Sequence, residues 1–600
     1  MNTLDESWRD HIIWRSQLPL DAPVGHYPGF KPGQTRLKAG TSYAKGGGSL
    51  TVDLIKDQDS GVRMRDGVTL YVDIFRPAAA EGPLPTVVAW GPYGKGNGGN
   101  QSLDDFPFRA GVPRKLLSGL QVWEGPDPAW WCARGYAVVN VDARGACSSE
   151  GRVALWGTQE GRDGHDVVEW IAAQPWSNGR VGLSGNSWLA MCQWFIAAER
   201  PPHLTAIAPW EGSADVYRSS FQGGVIDTAF PRSVLDLGVG LGQMEDFPAM
   251  TEREPLMSPY WKDKIARVER IEIPAYVVGS WTNFVHTPAT FDAWGRLGSR
   301  HKWLRVHNAM EWPDYYRQQE DLLKFFDRYL KNIDNGWEQT PPVRLSVFGA
   351  EGQDEVNRPM AEFPPRDIPH IAFHLSAQER ALSPVRAVAS AEVRCTDPKD
   401  EHWFDLPIQA ESEIIGFSKL RLWVQLHDGT DQDIFVALER LDPKGRRIAA
   451  RTIPVPNRAL AWGMRWLHRT GLLAPLNLLF PTRVKGQLRV SHRALDETRS
   501  TAARPLYTHQ AEAPVQPGEI VAVDIAIDPV AMRLRPGETL RLRIAGYNLV
   551  PVPLPGLTPA LPRGSGCFSL WCGGAYDSHL FTPLRAAPSG HSSATSARPT

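Results

Sequence analysis

Hydrophobic and polar positions alternate from Val62, with Val68, Leu70, Val72 and Ile74 on one face and Thr69, Tyr71, Asp73 and Phe75 on the other, until Pro77 ends the run. That period of two predicts a strand of the antiparallel type. Thr86 to Trp90 and Tyr136 to Asp142 are instead continuous apolar runs, as in strands buried on both faces of a parallel sheet. Asp166 to Ala173 carries helical periodicity, and Arg180 to Ser184 is a short apolar run closed by Gly185 and Asn186. Trp188 to Arg200 follows with helix formers until Pro201 and Pro202 stop it. The rhythm continues through Ala206 to Ala208, breaks over 213–268, and resumes with Ala275 to Gly279 and Trp303 to Val306. An amphipathic helix, Asp321 to Leu330, closes the region. Strands alternating with helices predict an α/β fold with a parallel sheet, and the break reads as a cap inserted into it.

From Pro341 the pattern changes to short alternating strands such as Lys419 to Leu426, Ile434 to Leu438 and Leu540 to Ile544, which predicts an all-β sandwich. The expected units are an N-terminal arm (1–45), an α/β domain (46–212 and 269–340), a helical cap (213–268), the sandwich (341–584) and a disordered tail (585–600). Residues 459–480 are apolar, but Arg465, Arg469, Pro475 and Asn477 argue against a membrane span. This stretch is read as a loop packed on a neighbouring domain or subunit, which leaves room for a homodimer.

A net charge of −1, from 65 basic and 66 acidic residues, supplies no global field for nucleic acid or an anionic membrane, so a small neutral molecule is the expected partner. The six cysteines lack metal-ligand spacing, and no basic segment followed by an apolar core opens the chain. A reduced, cytoplasmic protein without metal or organic cofactor is the expectation.

The chemistry concentrates at Gly185-Asn186-Ser187-Trp188. A serine between a strand and a helix exposes its oxygen at a sharp turn, and the next backbone N–H, that of Trp188, points from the helix N-terminus at developing negative charge. Leu189 stands where the usual Gly-x-Ser-x-Gly pattern has its second glycine, so the motif alone also fits a turn with a capping serine.

Arg65-Asp-Gly-Val-Thr-Leu, Trp90-Gly-Pro-Tyr-Gly-Lys95, Gly135 to Gly145 with Ser149-Glu-Gly151, the Ser187 turn and Gly573 to His579 together resemble the CocE/NonD group of α/β hydrolases, which includes cocaine esterase, α-amino acid ester hydrolases and X-Pro dipeptidyl peptidases. The resemblance implies an α/β-hydrolase fold with a helical cap and a C-terminal jelly roll of the galactose-binding-like kind. It implies Ser187 as nucleophile, with the Trp188 amide and the Tyr93 hydroxyl as oxyanion hole. The family's acid position falls on Asn283, a departure, because an amide orients an imidazole but does not stabilise an imidazolium. Glu311 and Asp314 are the alternative acids. For the base, His307 after the following strand is favoured over His286 in the acid loop. If Asn283 stands in for the acid and nothing replaces it, Asn283→Asp should raise activity; if Glu311 or Asp314 supplies the acid, the same substitution should lower activity or leave it flat.

The resulting expectation is a serine hydrolase that cleaves an ester or amide through an acyl-enzyme. An X-Pro dipeptidyl peptidase is less favoured for want of an obvious acidic cluster, although Glu211 could receive an amine. A lyase, cyclase or acyltransferase on the same fold is the alternative class, and a silent binding module the third.

Overall fold

The computed structural model describes residues 7–96, 102–226, 234–283, 285–349, 353–448, 483–550 and 561–587, with Arg232 and Gly463. Gly463 apart, the apolar stretch 459–480 lies outside the described residues, as does 588–600 of the expected tail.

Eleven strands form the first sheet: β1 (Gly33–Leu37), β2 (Leu54–Arg63), β3 (Thr69–Pro77), β4 (Leu84–Gly91), β5 (Ala137–Asp142), β6 (Ser177–Asn186), β7 (Leu204–Trp210), β8 (Ala275–Ser280), β9 (Lys302–His307), β10 (Val343–Val347) and β11 (Glu355–Met360). Their order is β11-β10-β9-β8-β7-β6-β4-β5-β3-β2-β1. Strands β4 to β10 are mutually parallel, and antiparallel strands flank them on both sides. Every residue of β4, β5 and β8 is buried, the consequence of their continuous apolar sequences. Helices α1 (Thr158–Ala172) and α2 (Ser187–Ala198) lie against each other so closely that a Cβ on Gly164 would stand 2.3 Å from Ile196 Cγ1. Further helices are α3 (Thr287–Arg296), α4 (Glu311–Arg317) and α5 (Gln319–Leu330). Gly182 gives α5 its seat on β6, since a Cβ there would meet Phe326 at 2.8 Å.

Several features depart from the sequence expectation: the strand expected from Val62 divides at a turn into β2 and β3, and the last strand runs to Ala586, inside the expected tail. Strand β1 lies in the expected arm, and its mostly exposed Gly-Gln-Thr-Arg face gave no hydrophobic period to read. Strands β10 and β11 extend the first sheet beyond the expected boundary at 340, because an alternating edge strand reads the same in a mixed sheet as in a sandwich. Residues 213–268 contain the short helices Val216–Ser220, Phe247–Arg253 and Pro259–Asp263, and Gln243–Glu245 pairs with Trp14–Ser16 of the arm.

Among the described residues the second sheet also has eleven strands, from His370–Ser376 to His579–Ala586. Strand Ser412–Leu426 pairs with Ile520–Leu534 and with His579–Ala586, and the latter also pairs with His370–Ser376, so the sheet closes on itself. Leu420, Leu422 and Val424 face its core from alternate positions. No described helix is long and apolar enough to cross a membrane.

Glu160 of α1 is buried beneath α2, accepting hydrogen bonds from Trp90 Nε1 (2.9 Å) and Cys192 Sγ (3.2 Å). Burial pushes its carboxyl up to about 7. The folded state therefore keeps a proton that the unfolded chain releases near the ordinary value of 4.5, and stability falls as pH rises from there to about 7. The loss is about 3 kcal/mol at its limit. Glu160→Gln should flatten that fall, raising Tm relative to wild type at pH 8 but not at pH 4, as scanning calorimetry at the two pH values will test.

Candidate active site

The carboxyl ends of the parallel strands converge on Ser187, the position at which open α/β sheets bind ligands. Ser187 follows β6 with φ of 50°, a left-handed conformation that costs a residue with a side chain about 1–2 kcal/mol. Two backbone bonds hold it there: Asn186 N donates to Glu124 O at 3.0 Å and Ser187 N donates to Glu211 O at 3.2 Å. Glu124 (φ 65°) and Glu211 (φ 55°) are left-handed as well. Trp188 is the second residue of α2, where backbone N–H groups lack intrahelical acceptors.

The absent second glycine has a packing explanation. Leu189 is buried and occupies space left by glycines of facing segments: a Cβ on Gly185 would lie 2.5 Å from its Cβ, one on Gly91 2.9 Å from its Cδ1, and one on Gly125 3.4 Å from its Cδ2. Gly185 is also left-handed at φ 147°, so the first glycine of the motif is required twice over.

Tyr93 lies in the turn after β4, buried, with its ring edge-on to Trp188 at a centroid distance of 6.0 Å. Lys95 anchors this turn, bonding Asp142 (2.8 Å) and Asp59 (2.7 Å) through its ammonium and Asp142 through its backbone N–H (2.6 Å). Burial, then the charges of Glu124 and Glu311, hold the Tyr93 hydroxyl well above its ordinary pKa, so it remains a proton donor.

The two candidate bases separate clearly. His286 Nε2 lies 3.0 Å from Ser187 Oγ. His307, favoured from sequence, points elsewhere: its Nε2 meets Glu211 Oε1 at 2.7 Å, and its Nδ1 accepts the Ala309 N–H at 3.2 Å. Accepting at Nδ1 fixes the proton of the neutral ring on Nε2, where Glu211 receives it. The expected pairing of Ser187 with His307 is thus replaced by one with His286. Chain order after a strand did not reveal this, because His286 reaches the serine from the turn that starts α3. Burial pushes the His286 imidazole down to about 3, and its Nδ1 has no partner among the described residues.

Asn283 organises that turn. Its Oδ1 accepts the N–H groups of Val285 (2.9 Å) and His286 (3.0 Å), while its Nδ2 donates to Glu211 Oε2 (2.7 Å) and Glu311 Oε2 (2.9 Å). An aspartate would lose both donated bonds and set a third carboxylate between two others. Asn283→Asp is therefore expected to lower activity, the second of the two outcomes above. Of the alternative acids, Asp314 is engaged by Arg305 at 2.6 and 2.5 Å and by Trp210 Nε1 at 3.1 Å, and Glu311 bonds Asn283; neither has a hydrogen bond to His286. Glu124, which the sequence did not single out, accepts the Trp312 Nε1–H at 3.0 Å and is pushed up to about 8, chiefly by burial. Burial and then Glu211 raise Glu311 well above the carboxylate range. Among the described residues no group of three or more His, Cys, Asp or Glu side chains is arranged to hold a metal ion.

A crystal structure of a CocE/NonD family hydrolase from Staphylococcus aureus superposes with a TM-score of 0.80 at 30% identity, covering 95% of this chain and all (100%) of that one. The chain belongs to the CocE/NonD family of hydrolases. Two family profiles agree with this: the X-Pro dipeptidyl-peptidase (S15 family) profile matches residues 66–254, and the X-Pro dipeptidyl-peptidase C-terminal non-catalytic domain profile matches 335–580. Cocaine esterase of Rhodococcus sp. is 37% identical over 164 residues, 27% of this chain and 24% of that protein, so the match spans about a quarter of the relative's length. An aminopeptidase from a marine sediment thaumarchaeon shares the fold at TM-score 0.64 and 15% identity, covering 89% of this chain and 97% of that one.

With this CocE/NonD geometry, Asn283→Asp should lower kcat/KM on an activated ester by about 10²-fold, since it removes a hydrogen bond from each of two carboxyl groups at the base loop. Steady-state kinetics will read the effect, and a gain in activity would return Asn283 to the role of a degraded triad acid.

Proposed function

We propose that this CocE/NonD hydrolase cleaves an ester or amide of a small acyl compound through an acyl-enzyme on Ser187. The observation that carries the reading is the 3.0 Å contact between Ser187 Oγ and His286 Nε2 at a left-handed strand-to-helix turn. His286 takes the Ser187 proton as Oγ attacks the carbonyl carbon, and the Trp188 N–H and Tyr93 O–H receive the developing oxyanion. The proton passes from His286 to the leaving group as the acyl bond breaks. Water, losing a proton to His286, then releases the acid and restores the serine. Because Nδ1 of His286 meets no carboxylate, the imidazolium is stabilised less than in a full triad, and modest turnover is the expected consequence. The same reading takes the closed C-terminal sheet as a jelly roll of the galactose-binding-like kind.

Ser187→Ala and His286→Ala should each lower kcat on an aryl ester by about 10³-fold or more, with the fold retained, whereas His307→Gln should cost roughly 10-fold. Stopped assays of the three variants separate the bases: a His307 loss equal to that of Ser187, with His286 silent, would restore His307 as base.

A second reading is favoured by the carboxylates beside Tyr93. Glu124 and Glu311 have no ion pair among the described residues, and an acyl group bearing an amine would supply the missing cation. On that reading Glu311→Gln raises KM for an aminoacyl ester about 10-fold and leaves a neutral acyl ester unaffected; equal effects on both esters would exclude amine recognition.

A further inference from the structure

The helix that carries His286 is held from the other unit of the molecule. His286 is the residue before α3, and its carbonyl accepts the Thr290 N–H (2.9 Å) and hydroxyl (3.0 Å), so the imidazole and the helix move together. Asp292, two residues further along α3, has a side chain only 8% exposed and meets three guanidinium groups. Arg296 of the same helix bonds it at 2.9 Å. Arg499 (3.1 Å) and Arg504 (2.9 Å) reach it from residues 496–507, an excursion of the C-terminal unit between two strands of its closed sheet. Arg499 lies 3.8 Å from Asp215, which caps the helix Val216–Ser220, and Arg218 of that helix bonds the Tyr507 carbonyl at 3.2 Å. The inner face of α3 is gripped too. Phe291 stacks on Trp281 at 5.0 Å and packs on Phe363 at 4.8 Å, while Phe417 of the C-terminal unit meets it at 6.2 Å. Arg504 spans both layers, with its guanidinium 5.0 Å from the Phe417 ring centre.

A surface ion pair would not merit a role, but Asp292 is buried, its guanidinium partners are largely shielded from solvent, and one carboxylate serves three cations. Such a cluster keeps its full strength only in one arrangement, because Arg504, unlike Arg296 and Arg499, has no other carboxylate partner among the described residues. His286 has no acid on Nδ1 to fix its ring, so its placement depends on its backbone more than in a triad. We infer that Asp292, Arg499 and Arg504 are positioning residues through which the C-terminal unit sets the distance between His286 and Ser187. This inference rests on the proposed serine–histidine chemistry. It gives the C-terminal unit a part in catalysis without contact with substrate.

The experiment compares Arg504→Met, Arg504→Lys and Arg499→Met with wild type on one aryl ester, with Tm measured alongside. The expected result is a fall in kcat of roughly 10-fold to 100-fold in Arg504→Met at nearly unchanged KM, because chemistry and not binding is disturbed, with partial recovery in Arg504→Lys. Folded Arg504→Met with wild-type kcat, or a loss confined to KM, would overturn the inference. Should Arg504→Met fail to fold, Arg499→Met decides, since it removes one guanidinium from the cluster and leaves Arg504 in place. A kcat loss of at least about threefold supports positioning, and none refutes it. If the wild type turns over no ester, the hydrolase reading fails and the clamp is read from hydrogen exchange alone: faster exchange of residues 285–296 in Arg499→Met supports it, unchanged exchange refutes it.

Discussion

The active site depends on three left-handed residues that support one another. Ser187 can hold φ of 50° only because the carbonyls of Glu124 and Glu211 receive the N–H groups of Asn186 and Ser187, and both glutamates are themselves left-handed. Each such residue costs on the order of 1 kcal/mol or more, and the surrounding packing must exceed that sum. Leu189 supplies part of it by filling the space opened by Gly91, Gly125 and Gly185. The strain has a use, because it sets the serine oxygen beside His286 and aims the start of α2 at the same point.

Around that turn, polar groups substitute for a conventional acid. Glu211 performs two tasks, its carbonyl fixing the serine and its carboxylate receiving His307 and Asn283. Asn283 then fixes the His286 backbone. The amide is suited to this place because it both donates and accepts, whereas a carboxylate only accepts. With an amide at this position, the proposed base is oriented by its backbone and helix.

Much of the fold was legible in the sequence, and the reason is periodicity. The continuous apolar runs of β4, β5 and β8 and the helical periods of α1 and α5 each match one environment, so those elements appear where expected. Strand β1 escaped because its face is polar, and β10 and β11 because alternation does not identify the sheet a strand joins. In the site, the turns that carry Ser187 and Tyr93 were readable because each is a local sequence pattern. The pairing of the histidines was not. His286 and His307 are both near strand ends, and only the three-dimensional path of the Asn283 turn brings one of them to the serine. Glu124 carried no local signal, since its role comes from a carbonyl and from burial beside distant segments.

On the proposed mechanism, Ser187 is an activated nucleophile served by His286 and by two oxyanion donors. The most direct test is a crystal structure of the protein after reaction with a fluorophosphonate. The account predicts a phosphonyl group bonded to Ser187 Oγ, its oxygen within hydrogen-bond distance of Trp188 N and Tyr93 Oη, with His286 Nε2 beside the ester oxygen and His307 still on Glu211. An unmodified Ser187, or an adduct whose histidine neighbour is His307, would contradict it.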